Sequence, residues 1–317
     1  MTVEDERALE VLEQRFRAIL PEEYQDSYED VQPVSMGSAG LRFGADGKVA
    51  WNEMWATFCD LAMAGGPPHK GTLLEPASRL AVDAQPAEYA AVIHELCRGV
   101  RMVSGLPVHP SVSPGWISVS CESESMAGWL LRAITVENVA VRAGGAILDL
   151  PAAPHYRIEK EIKNVVTVIA KTCHYWMGHL WQTEQQAIGR LFDTISAAVP
   201  LVVPAESGDS DLVAIQQVVS TRMADAIHEA TSLSRAPSHY ASWLGIEYGS
   251  VRAAVWMMRM LVVSNVLSRR EGSVLFVPVN AAQDPEGTKV ANTVAYLHRL
   301  ASAKGLLSGL PNASSSA

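Results

Sequence analysis

Apolar residues recur along this chain at two alternating periods. Near the start, Leu9, Leu12, Phe16, Ile19 and Leu20 fall three or four apart behind Thr2, a hydroxyl suited to capping, and predict a helix within residues 1–22. At 116–121 the pattern changes to a short run of β-formers, "WISVSC". It returns to the helical period over 123–137, where Met126, Ala127, Leu130, Leu131 and Ile134 share one face. "NVAVR" and "AILDLP" then read as two strands joined through Gly144–Gly145, a hairpin signal, with Pro151 closing the second. A long helical pattern follows from "YRIEKEIKNVV", with Ile162, Val165, Val166, Ile169, Cys173, Trp176 and Leu180 on one side. The order is β-α-β-β-α.

The same order recurs further along. Residues 116–151 overlay 243–278 without gaps at a constant offset of 127, and 12 of the 36 pairs are identical. Roughly two or three would match by chance at average residue frequencies. The shared positions include Trp116/Trp243, Trp129/Trp256, Arg132/Arg259, Asn138/Asn265, Gly145/Gly272 and Pro151/Pro278. In the second copy "GTKVANTVAYLHRLASAKGLL" is the closing helix. Helical segments precede each copy, at 50–64 and 86–104 for the first and at 181–198 and 210–231 for the second. The prolines and polar cluster of 199–211 predict a loop.

These patterns predict an α+β fold: a tandem duplication of a β-α-β-β-α unit with additional helices, its two halves arranged about a pseudo-twofold axis. An isolated three-stranded unit would leave strand edges and an apolar face uncovered, which favours pairing of the halves. The expected divisions are an N-terminal helix (1–22), a first half (34–180), a second half (181–308) and a disordered tail (309–317) ending in "PNASSSA".

Composition narrows the function. Hydrophobic residues make up 48% of the 317 and charged residues 19%, a globular rather than disordered balance. The net charge of −9, without a basic cluster to offset it, argues against nucleic acid as a partner. The longest apolar stretch, "AAVWMMRMLVVSNVL", contains Arg259 and Asn265 and is too short to span a bilayer, so no membrane partner is expected. Four scattered cysteines, with no signal peptide in the N-terminal sequence, suit reduced thiols and a cytoplasmic location.

Differences between the copies point to where chemistry would sit. Cys121, Glu122, Glu124 and Glu137 stand where the second copy has Tyr248, Gly249, Val251 and Ser264. Lys160, Lys163, Asn164, Thr167, Lys171 and His174 form a polar stripe along an otherwise apolar helix. Such a stripe is either a solvated face or a wall of cations for an anionic ligand. Cys173 and His174 point about 100° apart on a helix, so they do not face each other as nucleophile and base. Cys173 falls on the apolar side as a core residue, whereas His174 joins the stripe. "MAGGPPHKGTLLEP" (63–76) sets His69 and Lys70 at the tip of a Gly- and Pro-stiffened loop, which suits either an active-site loop or an ordinary connection. Cys121 ends a strand just before a helix and is a lesser nucleophile candidate, opposed by Glu122 and Glu124. Arg132 and Asn138 suit either ligand contacts or satisfaction of carbonyls at the helix end.

Dinucleotide, P-loop, zincin and nucleophile-elbow motifs are all missing from the sequence, and no cofactor is identified. No metal is expected; the alternative would assemble His69, Cys121 and His174. The leading expectation is a cytoplasmic enzyme acting on an anionic, carboxylate- or phosphate-bearing metabolite in a pocket of the first half. His69, His174 or Cys121 would do the chemistry, and Lys70, Lys163, Asn164, Lys171, Arg132 and Asn138 would bind. The competing expectation is a non-catalytic ligand-binding or assembly protein on the same scaffold, and self-association into a homo-oligomer is compatible with both.

Overall fold

The computed structural model describes residues 2–27, 40–55, 58–206 and 210–307. The expected tail at 309–317 lies outside the described residues. The fold mixes helix and antiparallel sheet, as the periodicities require. Two compact units divide the chain: Ile19–Phe192, here the first unit, and Met1–Ala18 together with Asp193–Ala317, here the second.

In the first unit, β1 (Val108–Pro110), β2 (Trp116–Ser120), β3 (Arg142–Gly144) and β4 (Ile147–Pro151) form an antiparallel sheet in the order β1-β2-β4-β3. Strand alternation divides its faces. Ile117, Val119, Leu148 and Leu150 are buried. On the other side Asp149 Oδ1 accepts from Ser118 Oγ at 2.5 Å, Asp149 Oδ2 accepts from Arg142 Nε at 2.8 Å, and the Arg142 guanidinium lies 4.7 Å from the Trp116 ring. Helix α5 (Glu124–Val136) packs on β3 and β4, α4 (Pro86–Ser104) packs on β1 and β2, and α6 (Lys163–His179) lies against α4 and α5. Leu130 and Ile134 of α5 are fully buried, each stabilising by about 1.5–3 kcal/mol.

The second unit contains β5 (Trp243–Glu247), α9 (Val251–Val263), β6 (Arg269–Glu271), β7 (Val274–Pro278) and α10 (Thr288–Ala303). Its sheet order, β5-β7-β6, matches β2-β4-β3. The pairing Trp116↔Pro151 has its counterpart in Trp243↔Pro278, and Gly144↔Ile147 in Glu271↔Val274. Ser123 and Ser250 both cap a helix by accepting from the backbone N–H three residues on. Helix α1 (Val3–Ala18), capped by the Thr2 hydroxyl, packs on α9, and α8 (Ser210–Thr231) packs on α10.

Both α5 and α9 stop in the same way. Asn138 and Asn265 take the left-handed conformation at φ 62° and 58°, which asparagine tolerates better than most residues. Asn138 Nδ2 donates to the Lys70 carbonyl, and Asn265 Nδ2 donates to the Val199 carbonyl, each at 2.8 Å. The incoming loop is thereby tied to the helix end. Each loop is tied further in the same way, by Leu74 N to Asn138 O and Ala140 N to Leu74 O in the first unit, and by Val202 N to Asn265 O and Leu267 N to Val202 O in the second.

The expected helix at 50–64 does not form. A single 3₁₀ turn at Trp51–Glu53 is followed, among the described residues, by irregular chain and turns. Side chains from elsewhere hold the segment instead: Glu95 accepts from the Trp51 indole, and Glu137 accepts from the Ala62 backbone N–H. Helices α4, α7 (Gln182–Ala198) and α8 occupy 86–104, 182–198 and 210–231, two short helices, α2 (Glu22–Gln25) and α3 (Arg79–Ala84), precede α4, and the first turn of the long helix around 158–162 is a wider π-type turn.

Candidate functional site

The loop after Cys59 is folded by its glycines and prolines. A β-carbon on Gly66 would stand 2.4 Å from the Asp60 carbonyl oxygen, so only glycine fits there. Gly65 N donates to Ala62 O and Gly66 N to Leu61 O, turning the chain toward Pro67, Pro68 and His69.

That loop is then pinned by one carboxylate. Glu137, at the end of α5 and with no solvent exposure, accepts from Ala62 N at 3.0 Å and from His69 N at 2.8 Å. Its third partner is the Lys171 ammonium, 1% exposed, at 2.7 Å. A buried carboxylate needs this full set of donors, because an unpaired charge there would be strongly destabilising. Burial works against the Lys171 ammonium, but Glu137 outweighs it and, with Cys59, holds the pKa above the ordinary lysine value. Lys171 Nζ also lies 3.0 Å from Cys59 Sγ.

The His69 ring, partly buried, meets Asn164 Oδ1 at 3.1 Å through Nε2. Burial lowers its pKa, the Glu137 charge opposes that shift, and the Lys171 charge reinforces it. The His69 loop and the α6 stripe are therefore brought together, through Asn164, Lys171 and Glu137.

Their meeting point is packed, and the open site lies one turn along α6. A groove of about 400 Å³ is lined by Trp55, Phe58, Met102, Ala170, His174 and Met177, among others. Trp55 and Phe58 stack at 5.9 Å, and Phe58 lies 5.3 Å from the His174 ring. Behind His174 runs a line of titratable groups. His174 Nε2 is 3.0 Å from His179 Nε2, and His179 Nδ1 is 2.6 Å from Glu23 Oε2.

Proton positions follow from the ends of that line. With Glu23 ionised and His179 neutral, His179 Nδ1–H donates to the carboxylate, which leaves His179 Nε2 an acceptor. His174 then donates through Nε2–H and keeps a basic lone pair on Nδ1. Gly178 also lines the groove, and His174 itself is exposed there. Burial lowers the His174 pKa, and His179, whenever it carries its second proton, lowers it further, against the opposing Glu23. Both effects favour the neutral base.

Compared with protein-family models, curated proteins and solved structures, the chain matches none. Its site must be read from its own residues.

The other expected residues sit elsewhere. Burial, aided by Glu122, pushes the Cys121 thiol up to about 12, which opposes a role as nucleophile. Arg132 is buried within α5, donates to the Gly128 carbonyl at 2.9 Å and lies 3.9 Å from the Phe192 ring; burial lowers its pKa to about 10. Asn138 is engaged with the Lys70 carbonyl, and the Lys70 N–H donates to the Glu137 carbonyl. Lys163 is buried, which lowers its pKa. His69, Cys121 and His174 are not gathered as a metal site: among the described residues no group of three or more His, Cys, Asp or Glu side chains is placed to hold an ion. No described helix is long and apolar enough to cross a membrane. Sequence reasoning missed His179, Glu23 and Cys59. The i, i+5 spacing of His174 and His179 is poor for a shared metal, yet their rings meet because His179 is the last residue of α6.

A second groove, of about 440 Å³, is lined by Val82, Tyr89, Ile93, His94, Val112 and Pro114, among others. It is largely apolar.

Proposed function

We propose that the Ile19–Phe192 unit binds a small molecule in the groove beside α6 and transfers a proton with His174 as the base. The observation that carries this reading is the line Glu23–His179–His174 ending at the groove wall. A carboxylate at one end and an exposed imidazole at the other can take a proton from a ligand and stabilise the resulting imidazolium. Trp55, Phe58, Met102 and Met177 suit a ligand with a flat or apolar body.

The expected anionic group finds less support. Lys171 is answered by Glu137, Asn164 by His69, and Asn138 and Arg132 by backbone carbonyls. We therefore place the acid–base group at His174 rather than His69, and leave the anion out of the proposed ligand class.

We further infer that a β-α-β-β-α module was duplicated and that the acid–base role stayed with the first copy. The twelve identities at offset 127, the equivalent strand pairings and the paired left-handed asparagines support the duplication. Ser264, His298 and Ala301 stand at the offset positions of Glu137, Lys171 and His174, which supports the loss or absence of the site in the second copy. Four free thiols suit a reducing compartment.

A thermal-shift screen of a small-molecule library tests the reading, run on the wild type, His174→Ala and Met177→Asp. Hits that stabilise the wild type and are lost in Met177→Asp support the groove. Turnover of a hit that vanishes in His174→Ala, while binding persists, supports the base. Hits indifferent to both substitutions would refute it, and binding without turnover would leave only the ligand-binding half.

A further inference from the structure

Three of the four cysteines are buried: Cys97, Cys121 and Cys173. Burial raises the pKa of each, which keeps them as unreactive thiols. Cys59 is different because it is partly exposed and its sulfur has a charged partner. Lys171 Nζ lies 3.0 Å from Cys59 Sγ, and Glu137 Oε1 holds the same nitrogen at 2.7 Å. The loop bearing Cys59 is fastened to Glu137 through Ala62 N and His69 N, so sulfur, nitrogen and carboxylate form one fixed cluster. In the second unit Ser264 and His298 stand at the offset positions of Glu137 and Lys171, so the trio belongs to the first unit alone.

We propose that Cys59 is an oxidation site at which hydrogen peroxide couples Cys59 Sγ to Lys171 Nζ as a sulfenamide. In the first step sulfur attacks one peroxide oxygen, the O–O bond breaks, and Cys59 becomes a sulfenic acid. The departing hydroxide takes a proton from the Lys171 ammonium and leaves as water. The thiol proton leaves to solvent, which the partly exposed Cys59 meets. In the second step the free Lys171 amine attacks the sulfenic sulfur, the S–O bond breaks, and the departing hydroxide leaves as water with a proton from that nitrogen. Overall one thiol, one ammonium and one peroxide give one S–N bond, two waters and one proton. Sulfur is oxidised and peroxide is reduced, so no other oxidant is needed. The product also removes the charge that answers Glu137, which loosens the anchor of the 59–70 loop, and a thiol reductant restores it.

Peroxide treatment of the full chain, followed by intact mass and peptide mapping, tests the proposal. The expected product is lighter by two hydrogen atoms, joins the Cys59 peptide to the Lys171 peptide, and reverts with dithiothreitol. Removing Lys171 breaks a buried ion pair and risks unfolding, so the informative variant is Cys59→Ser, which should keep the wild-type melting temperature and show no mass loss. Oxygen added to Cys59 with the Lys171 peptide unlinked would overturn the proposal. So would a Cys59 that stays reduced, or a mass loss that persists in Cys59→Ser.

Discussion

Glu137 and Lys171, 34 residues apart in the chain, meet at 2.7 Å with exposures of 0% and 1%. Their pairing decides how the first unit holds its loop, because the same carboxylate also binds the backbone of Ala62 and His69. Breaking a buried pair strands one charge, whereas removing both leaves none. Lys171→Met should therefore destabilise by about 3–5 kcal/mol, and Glu137→Gln combined with Lys171→Met should lose clearly less than the sum of the single changes. Urea denaturation of the three variants checks this, and strict additivity would show that the pair is not coupled.

His69 gives the first unit a dependence on acid. Its pKa is lowered in the folded state, so folding favours the neutral ring. The contribution is fully present above the unfolded value of about 6.5 and is lost as pH falls below it toward the folded pKa. His69→Gln should flatten that part of the stability curve while leaving the neutral region nearly unchanged. Equilibrium unfolding across the acid range measures it, and an unchanged slope would contradict the assignment.

The two left-handed asparagines predict an order among substitutions. Asn138→Gly loses the hydrogen bond to the Lys70 carbonyl but accepts φ 62° without strain. Asn138→Ala loses the bond and also places a β-carbon in that conformation, so it should be less stable than the glycine variant by about 1 kcal/mol. The same order is expected at Asn265. Denaturation midpoints read it directly, and alanine equal to glycine at both sites would be the wrong outcome for this account.

The boundaries of β2, α5 and β4 were legible because local signals agree there: a run of β-formers, one helical face and a closing proline; β3 begins later than "NVAVR" suggested, at Arg142, because Asn138 ends α5 in the left-handed conformation. The failure at 50–64 has a physical reason. Trp51, Trp55 and Leu61 suggest a helical face, yet Glu137 takes the Ala62 backbone N–H and Glu95 anchors the Trp51 indole, which hold the segment on another path. Tertiary partners override local propensity in such a segment. The α6 stripe was legible because its spacing is local. What each stripe residue meets was not, since Glu137, His69, Cys59 and Glu23 arrive from distant parts of the chain.

Tyr248 offers a test in the second unit. Its hydroxyl is buried with no hydrogen-bond partner among the described residues, and burial raises its pKa. Tyr248→Phe removes an unsatisfied polar atom while keeping the ring, so stability should be unchanged or rise by up to about 1–3 kcal/mol. Tyr24→Phe should destabilise instead, because that hydroxyl meets Tyr175 Oη at 2.8 Å and donates to Asp60 at 2.9 Å. Thermal melts of the two variants separate the cases, and a marked loss for Tyr248→Phe would reveal a missed partner.

The central claim is that His174 meets the groove as a neutral base held by His179 and Glu23. Nitrogen-15 NMR titration of the histidine rings tests it most directly. His174 should titrate below the ordinary histidine value, move up in His179→Gln, and move further down in Glu23→Gln, since the imidazolium opposes its charge and the carboxylate favours it. An ordinary titration of His174 that neither substitution shifts would contradict the claim.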